Sequence, residues 1–207
     1  MARLSAELQR YFFAEDCPPQ VKLADILQLA GERTFGFLFV LLSVPSALPL
    51  PAAGYSTPFA IVMFMLALQL MTGATKPWLP ARMLNSSMAL TKVQWFLKAA
   101  MPWLQRMEVV CRPRLTFICT GRLGRAAIGL AVALMSIFMM MPIPGTNTVP
   151  SLGVLTAGFG LLDDDGAITL AGLVICVLGF AFSGSILIAL SMGAPTVVDS
   201  LKQWLVQ

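Results

Sequence analysis

Pro142-Ile143-Pro144-Gly145-Thr146-Asn147-Thr148-Val149-Pro150 interrupts an apolar stretch of the chain, and Pro49-Leu50-Pro51 followed by Gly54 and Pro58 does the same earlier. A proline pair breaks a helix, because each ring lacks an N–H and crowds the preceding turn. It also frees carbonyls that hydrocarbon tolerates only where protein or water satisfies them. Reading outward from each corner gives two apolar legs: Thr34 to Leu48 and Phe59 to Thr72 around the first, Ala126 to Met141 and Ser151 to Leu162 around the second. Each leg falls short of the roughly 17–25 residues of a comfortable crossing. The pattern predicts two re-entrant helical hairpins or, failing that, pairs of short tilted crossings.

The two blocks share a spacing. Gly31 precedes Pro49 by the interval that separates Gly124 from Pro142, and a charged residue follows each glycine. Duplication of this kind places a functional site where the repeats meet. The chain therefore reads as one membrane domain over 1–207, with repeat 1 at about 31–80, an amphipathic connector at 81–120, repeat 2 at about 121–193 and a tail at 194–207.

Composition supports that class. Of 207 residues 57% are hydrophobic and 12% charged, an apolar excess beyond what a water-soluble domain of this length needs. The expected fold is an all-α integral membrane protein. After Asp163-Asp164-Asp165-Gly166, the run from Ala167 to Ser191 is long enough to span a bilayer outright. Pro18 to Gly31 and Met83 to Val110 mix apolar with charged residues and suggest interfacial amphipathic helices, and the tail, with Trp204, suggests an interfacial anchor. The beginning of the chain lacks the apolar core and small-residue site of a signal peptide, so insertion is expected to rest on internal segments.

Basic residues gather between Lys76 and Arg125 against Glu108 alone, the mark of a loop facing anionic lipid on the cytoplasmic side. Nucleic acid is not an expected partner, because no stacking aromatics or recognised module accompany the charge. Two topologies stay open. Either both hairpins enter from the cytoplasm, or the repeats are inverted and the connector crosses, which puts Arg122 and Arg125 outside against the positive-inside bias.

The chain has no histidine, which excludes Ser-His-Asp and Cys-His nucleophile systems and the usual zinc enzymes. Cys17, Cys111, Cys119 and Cys176 are far apart and imply no disulfide framework. No cofactor is expected. A candidate polar pocket comprises Pro49, Pro51, Gly54, Pro58, Gln69, Pro142, Pro144, Asn147 and Pro150, where broken-helix carbonyls meet compact polar side chains. Arg33 and Arg125 at the hairpin mouths are candidate contacts for a phosphate or carboxylate, since the planar guanidinium pairs with either in two-point fashion. Asp163, Asp164 and Asp165 invite an alternative, a Mg2+-dependent membrane transferase or phosphatase acting on a lipid phosphate. The plainer account makes Asp165 the cap of the last helix.

Pro144-Gly145-Thr146-Asn147-Thr148-Val149-Pro150-Ser151-Leu152, Gly160 to Gly166, Gly31-Glu32-Arg33, Leu68-Gln69-Leu70 and Pro77-Trp78-Leu79-Pro80 together resemble the ExoD family of exopolysaccharide-synthesis membrane proteins, from about Leu23 to Ser191. Asp164 stands where the family's acidic motif carries arginine. The resemblance implies a bacterial inner-membrane protein that moves, binds or scaffolds a lipid-linked or anionic precursor, with membrane lipids and polysaccharide-synthesis machinery as partners. Sparse protein around the broken helices, together with small residues such as Gly172 and Gly179, suggests a homodimer.

Overall fold

The computed structural model describes residues 10, 20–22, 27, 31–47, 56–80, 87–89, 94, 113–141 and 147–191. Nearly all of them are helical. A 3-10 turn at Gly31–Arg33 leads into α1 (Thr34–Ala47), and α2 is Ser56–Met71. A short α3 (Thr116–Thr120) precedes α4 (Arg122–Met140), α5 (Thr148–Leu162) and α6 (Gly166–Ser191). The legs read from the apolar runs form as helices, with ends shifted by a few residues. The largest shift matters most: α4 begins at Arg122 rather than Ala126, so its 19 residues join α6 as a second helix long and apolar enough to cross a membrane.

Pro58 and Pro150 are not corner residues. Each is the third residue of its helix, where a missing N–H costs no intrahelical bond and the fixed φ suits the first turn. The residues between Ala47 and Ser56 and between Met141 and Asn147 lie outside the described residues.

Two expected amphipathic helices need correction. Gln20–Lys22 (β1) and Ser87–Ala89 (β2) pair antiparallel, with Val21 opposite Met88, so no unbroken helix runs through either place. Backbone groups committed to a partner strand are lost to the i to i−4 ladder. Leu27 in the first segment and Gln94 in the second are helical, and Gly31 opens the 3-10 turn; the rest of both segments and the C-terminal tail lie outside the described residues.

The hairpins interlock. α1 packs along α5 and α2 along α4, while contacts inside each hairpin are minor; α6 lies along α5. Both cross-hairpin pairs are built on a glycine. A Cβ on Gly36 of α1 would sit 2.5 Å from the Leu162 N and 2.9 Å from the Gly158 O of α5. One on Gly129 of α4 would sit 2.8 Å from the Ala67 O and 3.1 Å from the Met71 N of α2. In each case the glycine lies on the carbonyl of one residue and the amide of the residue four further on. Phe35, Phe39, Met63, Leu66, Ile128 and Met135 fill the space between.

The receiving helices also end alike. Ala74 N donates to Gln69 O at 3.1 Å after a left-handed Gly73 (φ +84°), and Asp165 N donates to Gly160 O at 2.8 Å after a left-handed Asp164 (φ +54°). Both are the closing bond of a Schellman cap. On α6, Gly172 faces Ala157 of α5, and Gly179 faces Met135, Val149 and Pro150. Gly172 and Gly179 therefore serve contacts within the chain, whereas a Cβ on Gly184, in the neighbouring small-residue run Ala181 to Ser185, would meet nothing within 4 Å.

Candidate functional site

Among the described residues Arg33, Arg125 and the three aspartates lie at one end of the bundle. Arg33 Nη1 lies 4.0 Å from Asp163 Oδ1 at the end of α5. Arg125, in the first turn of α4, donates from Nη2 to the Ala74 carbonyl beyond α2 at 2.6 Å and stands 5.8 Å from the centroid of the Phe35 ring in the first turn of α1. Thus α1 and α4 start at the same end, and α2 and α5 finish there. The pair α1 and α2 and the pair α4 and α5 therefore run in the same sense through the bundle.

Each arginine meets the C-terminus of a helix from the other hairpin, where unpaired carbonyls make the macrodipole negative. Their surroundings differ. Arg33 has a carboxylate, whereas no carboxylate lies within 4.0 Å of Arg125 among the described residues, and its Nε is buried without a hydrogen-bond partner.

The three aspartates diverge in role. Asp165 is buried and caps α6, its Oδ1 accepting from Ala167 N at 2.9 Å and Ile168 N at 3.3 Å, as the plainer reading expected. Asp163 turns to Arg33, and Asp164 takes the left-handed turn. Among the described residues no three metal-ligating side chains converge.

Under this turn α3 inserts Cys119, whose Sγ lies 3.3 Å from Thr169 Oγ1 and 3.6 Å from Gly160 O, and Gly166 N donates to Arg114 O. Burial pushes the Cys119 thiol pKa up; the Thr169 hydrogen bond opposes this, and the charges of Asp164 and Asp165 add to it.

Gln69 also belongs to the charged end. Eleven residues separate it from Pro58 on one continuous helix, roughly 16 Å at 1.5 Å per residue, so it is removed from the proline corner with which the sequence grouped it. Its amide instead clasps the backbone of Trp78, donating to the carbonyl and accepting from the N–H. Asn147 and Pro150 stand at the opposite end, with Asn147 Oδ1 buried and unpartnered. One helical turn beyond Gly179, which faces Pro150, Ser183 Oγ is likewise buried and unpartnered. Pro49, Pro51, Gly54, Pro142 and Pro144 lie outside the described residues. Thr169, Phe35 and the Ala74 carbonyl escaped the sequence reading, because a backbone oxygen and a core aromatic carry no local signal of what they will touch.

These features define a helical bundle with two helices apolar enough to cross a membrane and, among the described residues, with Arg33, Arg125 and the three aspartates at one end. Within that class the chain belongs to the ExoD family of exopolysaccharide-synthesis proteins, whose model matches residues 4–185. It is 47% identical over 205 residues to an uncharacterised protein of Synechocystis sp., covering 99% of this chain and 97% of that one. It is 29% identical over 179 residues to the protein ExoD of Rhizobium meliloti, covering 84% of this chain and 74% of that one. No solved structure matches.

Proposed function

We propose that the chain is a bacterial inner-membrane protein whose charged end lies at the level of the cytoplasmic headgroups, where its arginines bind and position a lipid-linked or anionic precursor of exopolysaccharide. The observation that carries this reading is the placement of Arg33 and Arg125, half-buried at hairpin mouths directly beside an apolar collar. Leu123, two residues before Arg125, is 89% exposed, and Trp78, in the loop that receives Arg125, is 67% exposed.

The partition of side chains supports embedding in lipid. Ile61, Met65 and Leu68 on α2, Leu130 and Ile137 on α4, and Val174 and Val177 on α6 point outward. Ser43, Ser136, Ser151 and Thr169 are buried, each hydroxyl donating to a carbonyl of the turn before it. Water rewards the reverse arrangement, and soluble monomers rarely expose so much contiguous apolar surface. Exposed Lys76, Arg114 and Arg122 at the charged end favour the cytoplasmic side. α1, α2 and α5, at 14 to 16 residues, measure about 21 to 24 Å against a core of about 30 Å and are read as dipping in from that end.

Complementation of a strain lacking the gene tests the reading. Arg33→Gln with Arg125→Gln is expected to abolish exopolysaccharide production at normal protein level. Asn at positions 163, 164 and 165 together is expected to reduce stability but retain production per folded molecule. Loss of production by the folded Asn variant, with the arginine variant active, favours the Mg2+-dependent enzyme instead.

A further inference from the structure

The two cross-hairpin pairs are alike in their glycine contacts and helix caps, and the arginine beside each has different partners. Gly36 rests on Gly158 and Leu162 as Gly129 rests on Ala67 and Met71, so Leu162 corresponds to Met71. The caps agree: Asp163 N donates to Phe159 O and Thr72 N donates to Leu68 O, each one residue before a left-handed position. Thr72 is therefore the counterpart of Asp163. Arg33 lies three residues before Gly36 and Arg125 four residues before Gly129, so the two arginines stand near the starts of their helices but not at matching positions.

Arg33 thus has a built-in carboxylate, and Arg125 has none within 4.0 Å among the described residues. Among those residues Arg125 meets the Ala74 carbonyl and the Phe35 ring face, which satisfy part of a group with five N–H donors and leave Nε buried and unpaired. A guanidinium in that state gains from an oxyanion, which supplies both charge and paired acceptors. Its surroundings specify where the anion comes from: Leu123 and Trp78 mark the edge of the apolar collar, and Arg122 and Lys76 are exposed beside it. We propose that Arg125 binds a phosphate group presented at the membrane surface, at the end of α2, and that it does so more strongly than Arg33, which already faces Asp163. This rests on the functional reading above and ranks its two arginines.

The full chain in dodecyl maltoside micelles, which carry no phosphate, is titrated with phosphatidylglycerol and separately with inorganic phosphate, and the thermal midpoint is followed. Phosphatidylglycerol is expected to raise the midpoint of the parent. Arg125→Gln is expected to weaken the apparent affinity by about tenfold or more, the loss of a charge-assisted contact. Thr72→Asp, which places a carboxylate two residues from the carbonyl that Arg125 holds, is expected to do the same while raising the unliganded midpoint, so a folding defect in the arginine variant leaves the question answerable. Arg33→Gln is expected to lose less affinity than Arg125→Gln, because Asp163 already faces that guanidinium. A response to inorganic phosphate alone that follows the same pattern identifies a soluble phosphate as the source; a response to the lipid alone identifies a headgroup. Unaltered affinity in both Arg125→Gln and Thr72→Asp, equal loss in Arg33→Gln, or no response to either probe overturns the proposal. Loss of lipid affinity in an Arg125→Gln variant that still supports exopolysaccharide production overturns the functional reading and leaves this site standing.

Discussion

Cys119 sits where opposing effects on a thiol can be weighed. Burial and the neighbouring Asp164 and Asp165 favour the protonated form, and the Thr169 hydroxyl only partly offsets them. Because the folded thiol gives up its proton at higher pH than the unfolded one, its stabilising contribution is whole below the unfolded value and is lost as the pH rises through the folded one. The thiolate is the reactive species. Alkylation of Cys119 by iodoacetamide at pH 8, followed by peptide mass mapping, is therefore expected to be at least about tenfold slower in the native than in the unfolded protein. The thermal midpoint should fall progressively as the buffer is taken above the ordinary thiol range, and less so in Cys119→Ser. Rapid native labelling would place the thiol at the surface and remove the account of α3 as a plug beneath the α5–α6 turn.

Helix pairs depend on backbone approach more than on side-chain bulk. Gly36 and Gly129 lie at van der Waals limits against the backbones of α5 and α2, so any Cβ forces the helices apart. Gly36→Val and Gly129→Val are each expected to cost about 1–3 kcal/mol or more of stability in detergent, and by similar amounts, since the two contacts have the same geometry. Gly184, whose Cβ direction is open, is the control, and Gly184→Ala should change the midpoint little. If the two valine variants differ as widely as either does from the control, the likeness of the two interfaces is superficial. The glycines used in the sequence to align the repeats were Gly31 and Gly124. Gly31 precedes α1 in a left-handed turn, whereas Gly124 lies inside α4 against the Ile118 carbonyl. Gly36 and Gly129 follow them, each by five residues.

Sidedness is a property of the entire bundle. Arg33, Ala74, Arg125 and Asp163 hold every helix terminus near them to one end, and α6 runs from that end along α5 toward the other. Lys76→Cys and Arg114→Cys, both at exposed positions, are expected to react with a membrane-impermeant maleimide in inverted vesicles and to be protected in intact spheroplasts. A tag placed after Gln207 should show the opposite pattern. Opposite labelling of the two cysteines would require one hairpin to be inverted and would contradict the meeting of both arginines at a single end.

Helix content, the approximate legs, the long last helix and the Asp165 cap were legible in the chain itself, because apolar continuity and local capping depend on neighbours in sequence. Pro58 and Pro150 read in the sequence as corner residues, though each belongs to the helix that follows, since a first-turn proline and a turn proline look alike in one dimension. Which helix faces which required the folded bundle. So did the removal of Gln69 from the proline corner, the turning of Gly172 and Gly179 inward, and the contrast between Arg33 with its aspartate and Arg125 without one. Partnership between residues far apart in the chain is decided by packing in three dimensions, and no local pattern encodes it.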